Sequence, residues 1–239
     1  MKKSVYLKFQ YIITIVLFCL STIYSCKDDS ISNNNYNYHL ITSISGVVND
    51  LPDTSRLVKA IVQMEFINHT VDSNFANSNN SIVLNLSPPP SQYLFPIVGY
   101  FITDTTTILI SDRSAKVNVL MLAAFYDSSG NFAGEIFKDN HFLYNSDSVG
   151  YFLVVPLYCD RKVSMSGSSI YIYNNKQDTS KSNFDINMNT GWNVLTSRIK
   201  VSRNGYREFD LFDGEPTGAN YYFRNPNSVL FNQLKQSLK

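Results

Sequence analysis

Hydrophobic and polar positions divide the chain into zones with different patterning. Tyr11–Leu20 is an unbroken apolar run, and Lys27–His39 is mostly polar. From Leu40 onward, short runs of Val, Ile, Phe and Tyr alternate with clusters of Asn, Asp, Ser and Gly. This third pattern is that of strands joined by turns. It predicts strands over Leu40–Val48, Leu57–Ile67, Ser81–Leu86, Thr107–Ser111, Lys116–Tyr126, Phe132–Lys138, Gly150–Tyr158, Lys162–Met165, Ser169–Tyr173, Phe184–Asn187, Asn193–Val201, Tyr206–Phe212 and Asn220–Phe223. Ser166-Gly167-Ser168-Ser169 reads as a turn by its composition. No long stretch between the strands shows helical periodicity, so the fold class is all-β, in one or two packed β-sandwich modules. The end departs from this: Leu230, Leu234 and Leu238 recur four residues apart behind Asn227 or Ser228 as N-cap, predicting a helical tail over 227–239.

Around Asn204-Gly205 two hairpin registers compete. A two-residue Asn204-Gly205 loop would set Lys200 against Phe209 and Ile199 against Asp210, apolar against charged. A shift of one residue sets Val201 against Phe209, Ile199 against Leu211 and Lys200 against Asp210. Because a slip by one flips every side chain, the hydrophobic pattern predicts the shifted register and an odd-length loop.

Ser87-Pro88-Pro89-Pro90-Ser91 interrupts the pattern, because prolines favour extended chain and cannot donate to a ladder. It separates a small β module over 40–96 from a larger one over 97–226. The other reading is one continuous domain with a proline-rich crossover.

Composition narrows the function classes. The chain of 239 residues carries 20 Lys plus Arg and 19 Asp plus Glu, so it has no basic excess with which to displace counterions from nucleic acid. A hydrophobic content of 44% can build a real core, which argues against a wholly disordered chain. Three Cys cannot staple a chain of this length into a disulfide scaffold.

The N-terminal zone reads as an address. Lys2, Lys3 and Lys8 precede the apolar run, which is too short to span a bilayer, a task that needs about 20 apolar residues. Ile23-Tyr24-Ser25-Cys26 then resembles a bacterial lipobox, with Tyr24 standing where a small residue is usual. The resemblance implies a signal peptide over 1–25, removal of that segment, and a diacylglyceryl group on the Cys26 thiol. The competing reading is a plain secretory signal. Residues 26–39 form a polar tether with a reach of roughly 20 Å. Cleavage removes three Lys and no acid, leaving a mature net charge of −2. Cys159 then lacks a partner if Cys26 carries lipid, and after an apolar run it reads as a buried thiol. A 26–159 disulfide is the rival.

Several short motifs carry a family resemblance: Ile110-Ser111-Asp112 with Ala115-Lys116, Tyr126-Asp127, Asp160-Arg161-Lys162-Val163 leading to Ser166-Gly167-Ser168, Gly191-Trp192-Asn193-Val194, and Tyr221-Tyr222-Phe223. Together they resemble uncharacterised small surface lipoproteins of Bacteroides and relatives in the Bacteroidota. Ile44-Ser45-Gly46-Val47-Val48 is similar to the first strand of such proteins and to the start of a carboxypeptidase-regulatory-like sandwich module. The resemblance implies a β-rich, lipid-anchored envelope protein and brings no catalytic residues with it.

Few residues in the chain carry a recognisable pattern for chemistry. His39, His69 and His141 share no metal-ligand spacing, and no nucleophile elbow, zinc-protease or phosphate-loop motif is present. Asp210, Asp213 and Glu215 would support glycoside hydrolysis only by converging in space. Asp127, Ser129, Asn131 and Glu135 are loosely similar to a calcium loop but fall short of an EF-hand, so they read as a turn. Aromatics give the one functional lean, toward stacking sugar rings. Tyr171 and Tyr173 share a face that points outward if Ile170 and Ile172 face the core; Trp192 and Tyr206 complete the candidate set, with core packing as the competing role for Trp192. The expected protein is a non-enzymatic, lipid-anchored component of the outer membrane or cell surface, without cofactor. It would bind a glycan or an envelope protein, with a structural or adhesive role as the alternative and a glycosidase-like enzyme behind both.

Overall fold

Alternation sets the architecture. In the β-strand Ser43–Asn49 (β1), Ile44 and Val48 are buried while Ser45 and Val47 are exposed. The same period of two recurs in Leu57–Met64 (β2), Ser81–Asn85 (β4) and Lys116–Phe125 (β8). The computed structural model describes residues 40–53, 55–64, 67–101, 105–125, 131–140, 148–173 and 178–225. The expected signal peptide over 1–25, Cys26, the expected tether and the expected helical tail over 227–239 lie outside them. The described chain is all-β. Its further strands are Ile67–Phe75 (β3), Phe95–Pro96 (β5), Thr105–Thr106 (β6), Leu109–Ile110 (β7), Phe132–Asp139 (β9), Phe152–Cys159 (β10), Val163–Tyr173 (β11), Asp178–Met188 (β12), Gly191–Arg203 (β13), Tyr206–Asp213 (β14) and Asn220–Arg224 (β15). A short helix, Ile97–Phe101 (α1), follows β5.

Strands from both sides of the proline segment pair with one another. β2 pairs antiparallel with β8, and β1 pairs parallel with β15. The chain of pairings β3-β2-β8-β9-β15-β1-β4 bends round until its two ends meet. There the contact is made by side chains: Asp72 Oδ2 accepts the Asn85 N–H at 2.6 Å, and Asn74 Nδ2 donates to the Val83 carbonyl at 3.2 Å. Inside the ring lie Val48, Val58, Val62, Leu84, Leu122 and Phe223. Trp192 closes it, donating through Nε1 to the Ser87 carbonyl at 3.0 Å and meeting Tyr158 edge to face at 5.4 Å.

A second core lies within the sheet β11-β12-β14-β13-β10-β8. Val163 and Met165 of β11 share one cluster with Val117 of β8, at the other end of that path, so the sheet curls onto itself, with Ile97 and Ala115 filling the opening. The two cores meet at a fork. β8 pairs with β10 through Val117–Val119 and with β9 through Leu122–Phe125, while β9 continues past β8 to pair Asp139 with Leu153 of β10. Each of the three strands therefore belongs to two of the three arms. Tyr151, Leu153, Ile199 and Phe209 pack beside this fork with Phe137.

Three local expectations are corrected. The Ser166–Ser169 segment is no turn: β11 runs straight through it. Gly167 has φ +117°, and a Cβ there would stand 2.1 Å from the Thr107 carbonyl oxygen, so the composition reflects a close backbone approach. Leu57–Ile67 is not a single strand, since the chain reverses and Ile67 opens β3, which pairs Met64 with Ile67. The hairpin loop is even, with Arg203 opposite Tyr206. A bulge at Lys200 then sets Ile199 against Phe209, so the loop and the hydrophobic pattern are both satisfied.

β12 and β13 are consecutive but not neighbours, because β14 lies between them, parallel to β12 and antiparallel to β13. The chain from Met188 to Gly191 must span two inter-strand spacings, about 10 Å, which is roughly the full extension of three residues. Asn189 and Thr190 therefore arch tightly over the end of β14, at Asp213.

Candidate docking face

Register places four apolar side chains on one rung. Phe75 of β3 stands opposite Leu57 of β2, Leu57 opposite Phe125 of β8, and Phe125 opposite Phe132 of β9. Opposed residues share a face. Val58, Ala60 and Val62 point into the ring, so Leu57 and the rest of the rung point out. Phe75 is 66% exposed and Phe132 42%; Leu57 and Phe125 are half-buried. The Phe125 and Phe132 rings meet edge to face at 5.9 Å, and Lys59 Nζ sits 4.5 Å from the Phe125 ring centre. The adjoining rung is polar at its ends, running Ser73, Lys59, Ala123, Glu135, Arg224. Burial pushes the Glu135 carboxyl above the ordinary glutamate range. An apolar row edged by Lys59 and Glu135 has the layout of a small protein interface.

The residues singled out from sequence do not gather there. Trp192 is 3% exposed and offers no face to a ligand, because the ring core has absorbed it. Ile170 and Ile172 face outward on β11, and Tyr171 lies half-buried on the side of Val163 and Met165, which reverses the expected orientation. Tyr173 ends β11. Tyr206 is half-buried; it donates to Glu208 Oε2 at 3.0 Å, and the Arg203 guanidinium lies 4.9 Å over its ring. His69 stacks against Tyr93 at 4.8 Å, while His39 and His141 lie outside the described residues. Cys159 is a free, buried thiol that donates to the Arg161 carbonyl at 3.0 Å, and burial pushes its pKa up.

The carboxylates separate. Asp210 faces Arg198 at 3.4 Å and Lys200 at 3.7 Å. Asp213 is buried on the opposite face of β14, and Glu215 pairs with Lys138 of β9. Asp210 belongs to a ladder on the outer sheet face. Asn183 Nδ2 donates to Glu208 at 2.7 Å and to Asp210 at 3.1 Å, and Lys181 reaches Glu208 at 3.2 Å. Desolvation raises the Glu208 pKa, but the bonds from Asn183, Tyr206 and Lys181 outweigh it and hold the carboxyl below the ordinary glutamate range. A carboxylate so held is a poor proton donor, and this ladder ties strands together. Of the loose calcium-loop set, Asp127 and Ser129 lie outside the described residues, while Glu135 stands on β9. Among the described residues no three His, Cys, Asp or Glu side chains form a metal-binding group.

Sequence reasoning missed the aromatic row because it missed β3. Asn-His-Thr-Val-Asp-Ser-Asn carries almost no apolar signal, and the lone Phe75 at its end was the available cue. No family model matches the chain, and no curated protein or solved structure shows significant similarity to it.

Proposed function

We propose that this is a lipid-anchored protein of the cell envelope, held by an acylated Cys26, whose β body binds another protein through the rung Phe75, Leu57, Phe125 and Phe132. The observation that carries the binding reading is this exposed row with its charged edge. It favours a protein partner over a glycan. Sugars need stacking rings accompanied by hydrogen-bonding groups, whereas Phe and Leu offer apolar area alone. Tyr171 and Tyr206, which would serve a sugar, are half-buried, and the tryptophan is core. The leader, the lipobox-like Ile23–Cys26 and the polar tether support the placement. No helix among the described residues is long and apolar enough to cross a membrane.

The test is site-specific photo-crosslinking in intact cells. A crosslinker at position 75 or 132 gives one discrete protein adduct, and a crosslinker at position 170, on the distant sheet, does not. Phe75→Ser combined with Phe132→Ser removes the adduct formed from position 57, while loss of the Phe125–Phe132 edge contact costs about 0.5–1.5 kcal/mol and leaves the chain folded. Equal adducts from all positions, or a protein-free adduct with polysaccharide, would overturn the reading.

A further inference from the structure

The described chain enters and leaves the ring at opposite ends. It enters beside Trp192, whose carbonyl accepts the Ile41 N–H at 3.0 Å. β1 runs away from that point. β15 runs parallel to β1 and pairs with it only where β1 ends, Val48 with Tyr221 and Asn49 with Tyr222. At about 3.3 Å per residue, this far end lies more than about 20 Å from Ile41. The apolar rung stands at the same far end. Just past Phe75, the Asn77 N–H donates to the Ser81 carbonyl at 2.9 Å, and Ser81 stands opposite Val47 near the end of β1.

β15 also delivers the chain to one particular end of the rung. Arg224 stands opposite Glu135 of β9, and a Cβ on Gly134 would lie 2.3 Å from the Arg224 carbonyl oxygen. The two strands are antiparallel, so a chain leaving β15 heads past Gly134 toward Phe132. Residues 226–239 follow, and they lie outside the described residues. Their pattern is the leucine stripe Leu230, Leu234 and Leu238. In a helix, Leu230 and Leu238 stand about 12 Å apart, at 1.5 Å per residue. From Phe132 to Phe75 the rung crosses three strand spacings, about 14 Å at 4.8 Å each. The stripe therefore matches the rung in length, with Leu234 falling at its middle. A helix this short is marginal without packing, and its apolar stripe needs a surface to bury it.

We propose that the tail over 227–239 lies across this rung as a helix of its own chain, with Leu230 over Phe132 and Leu238 over Phe75. The rung is then covered in the unpartnered protein, and a partner must displace the tail to reach it. The cover stands without the docking reading; its role as a gate rests on that reading. A tail that covers the rung about nine-tenths of the time weakens the apparent affinity of a partner about tenfold.

Photo-crosslinking in the purified full chain tests the cover. A crosslinker at position 234 forms a link within one molecule, which peptide mapping places around Leu57 and Phe125. Leu230→Asp combined with Leu238→Asp removes the link, and so does Phe75→Ser combined with Phe132→Ser. Links that fall on other strands, links only between two molecules, or a link undiminished in both double variants would overturn the cover. The gate is tested in intact cells, with the crosslinker at position 75. The tail double variant raises the yield of partner adduct several-fold; an unchanged yield overturns the gate. If the internal link forms but neither chain gives a partner adduct, the docking reading fails and the cover stands.

Discussion

At the scale of single residues, two carboxylates on one strand titrate in opposite senses. Glu208 has a depressed pKa, so its stabilisation is fully present above the ordinary glutamate value of 4.5 and is lost as pH falls through its lower folded value. Glu208→Gln therefore lowers the melting midpoint at pH 7, and the difference from the natural sequence narrows in acid below that range. Asp213 has a raised pKa, so the folded state binds the proton more tightly and loses stability as pH rises. Asp213→Asn consequently raises the midpoint at pH 7, a gain that fades toward acid. A pH series of melts on both variants checks both signs. Neither environment was legible in the sequence, where Glu208 and Asp210 fall in the expected strand Tyr206–Phe212 and Asp213 in the loop after it. The separation arises because Asp210 and Asp213 leave β14 on opposite faces, and because the arch buries only the second. Trp192 likewise carried two readings until the ring core claimed its side chain.

At the scale of elements, most strands were legible because their apolar positions alternate. Two failures share a cause: the local composition served a neighbour rather than the segment's own conformation. β3 is polar because its far edge meets β4 through Asp72 and Asn74 side chains instead of a backbone ladder. Gly167 sits mid-strand because the Thr107 backbone passes where a side chain would be. Gly167→Ala must therefore displace that backbone and adopt a strained φ, costing about 3 kcal/mol in denaturant unfolding. The β13–β14 hairpin shows a third case, in which two valid local signals conflict and a bulge reconciles them. Deleting Lys200 keeps the Asn204-Gly205 loop but removes the bulge and restores a plain ladder through Ile199 and Phe209. It also deletes the ammonium 3.8 Å from Glu208 and 3.7 Å from Asp210. Hydrogen exchange should show the hairpin still protected and the Glu208–Asp210 ladder loosened.

At the scale of the whole molecule, topology was the least legible level. Nothing in the local pattern of Ser43–Asn49 announces a parallel pairing with Asn220–Arg224, nor that β9 leaves β8 to join β10. These long-range choices bind the segments before and after the prolines into one hydrogen-bonded system. At the fork, Asp139 is fully buried, accepts from Tyr151 at 3.1 Å, and pairs with Arg224 of β15, whose guanidinium also lies 5.0 Å over Phe137. Arg224→Met leaves that carboxylate without its cation and costs about 3–5 kcal/mol in denaturant unfolding, with both cores melting together. A loss confined to one core would contradict the fork as the joint between them.

Presentation of the Phe75–Phe132 row to a partner requires that the body stand outside the membrane on its tether. Intact mass measurement of the protein purified from native envelopes tests this most directly. Under the proposed anchoring, the chain begins at Cys26 and carries the added mass of a diacylglyceryl group with further acylation. A chain retaining residues 1–25, or one with an unmodified Cys26 thiol, would contradict it.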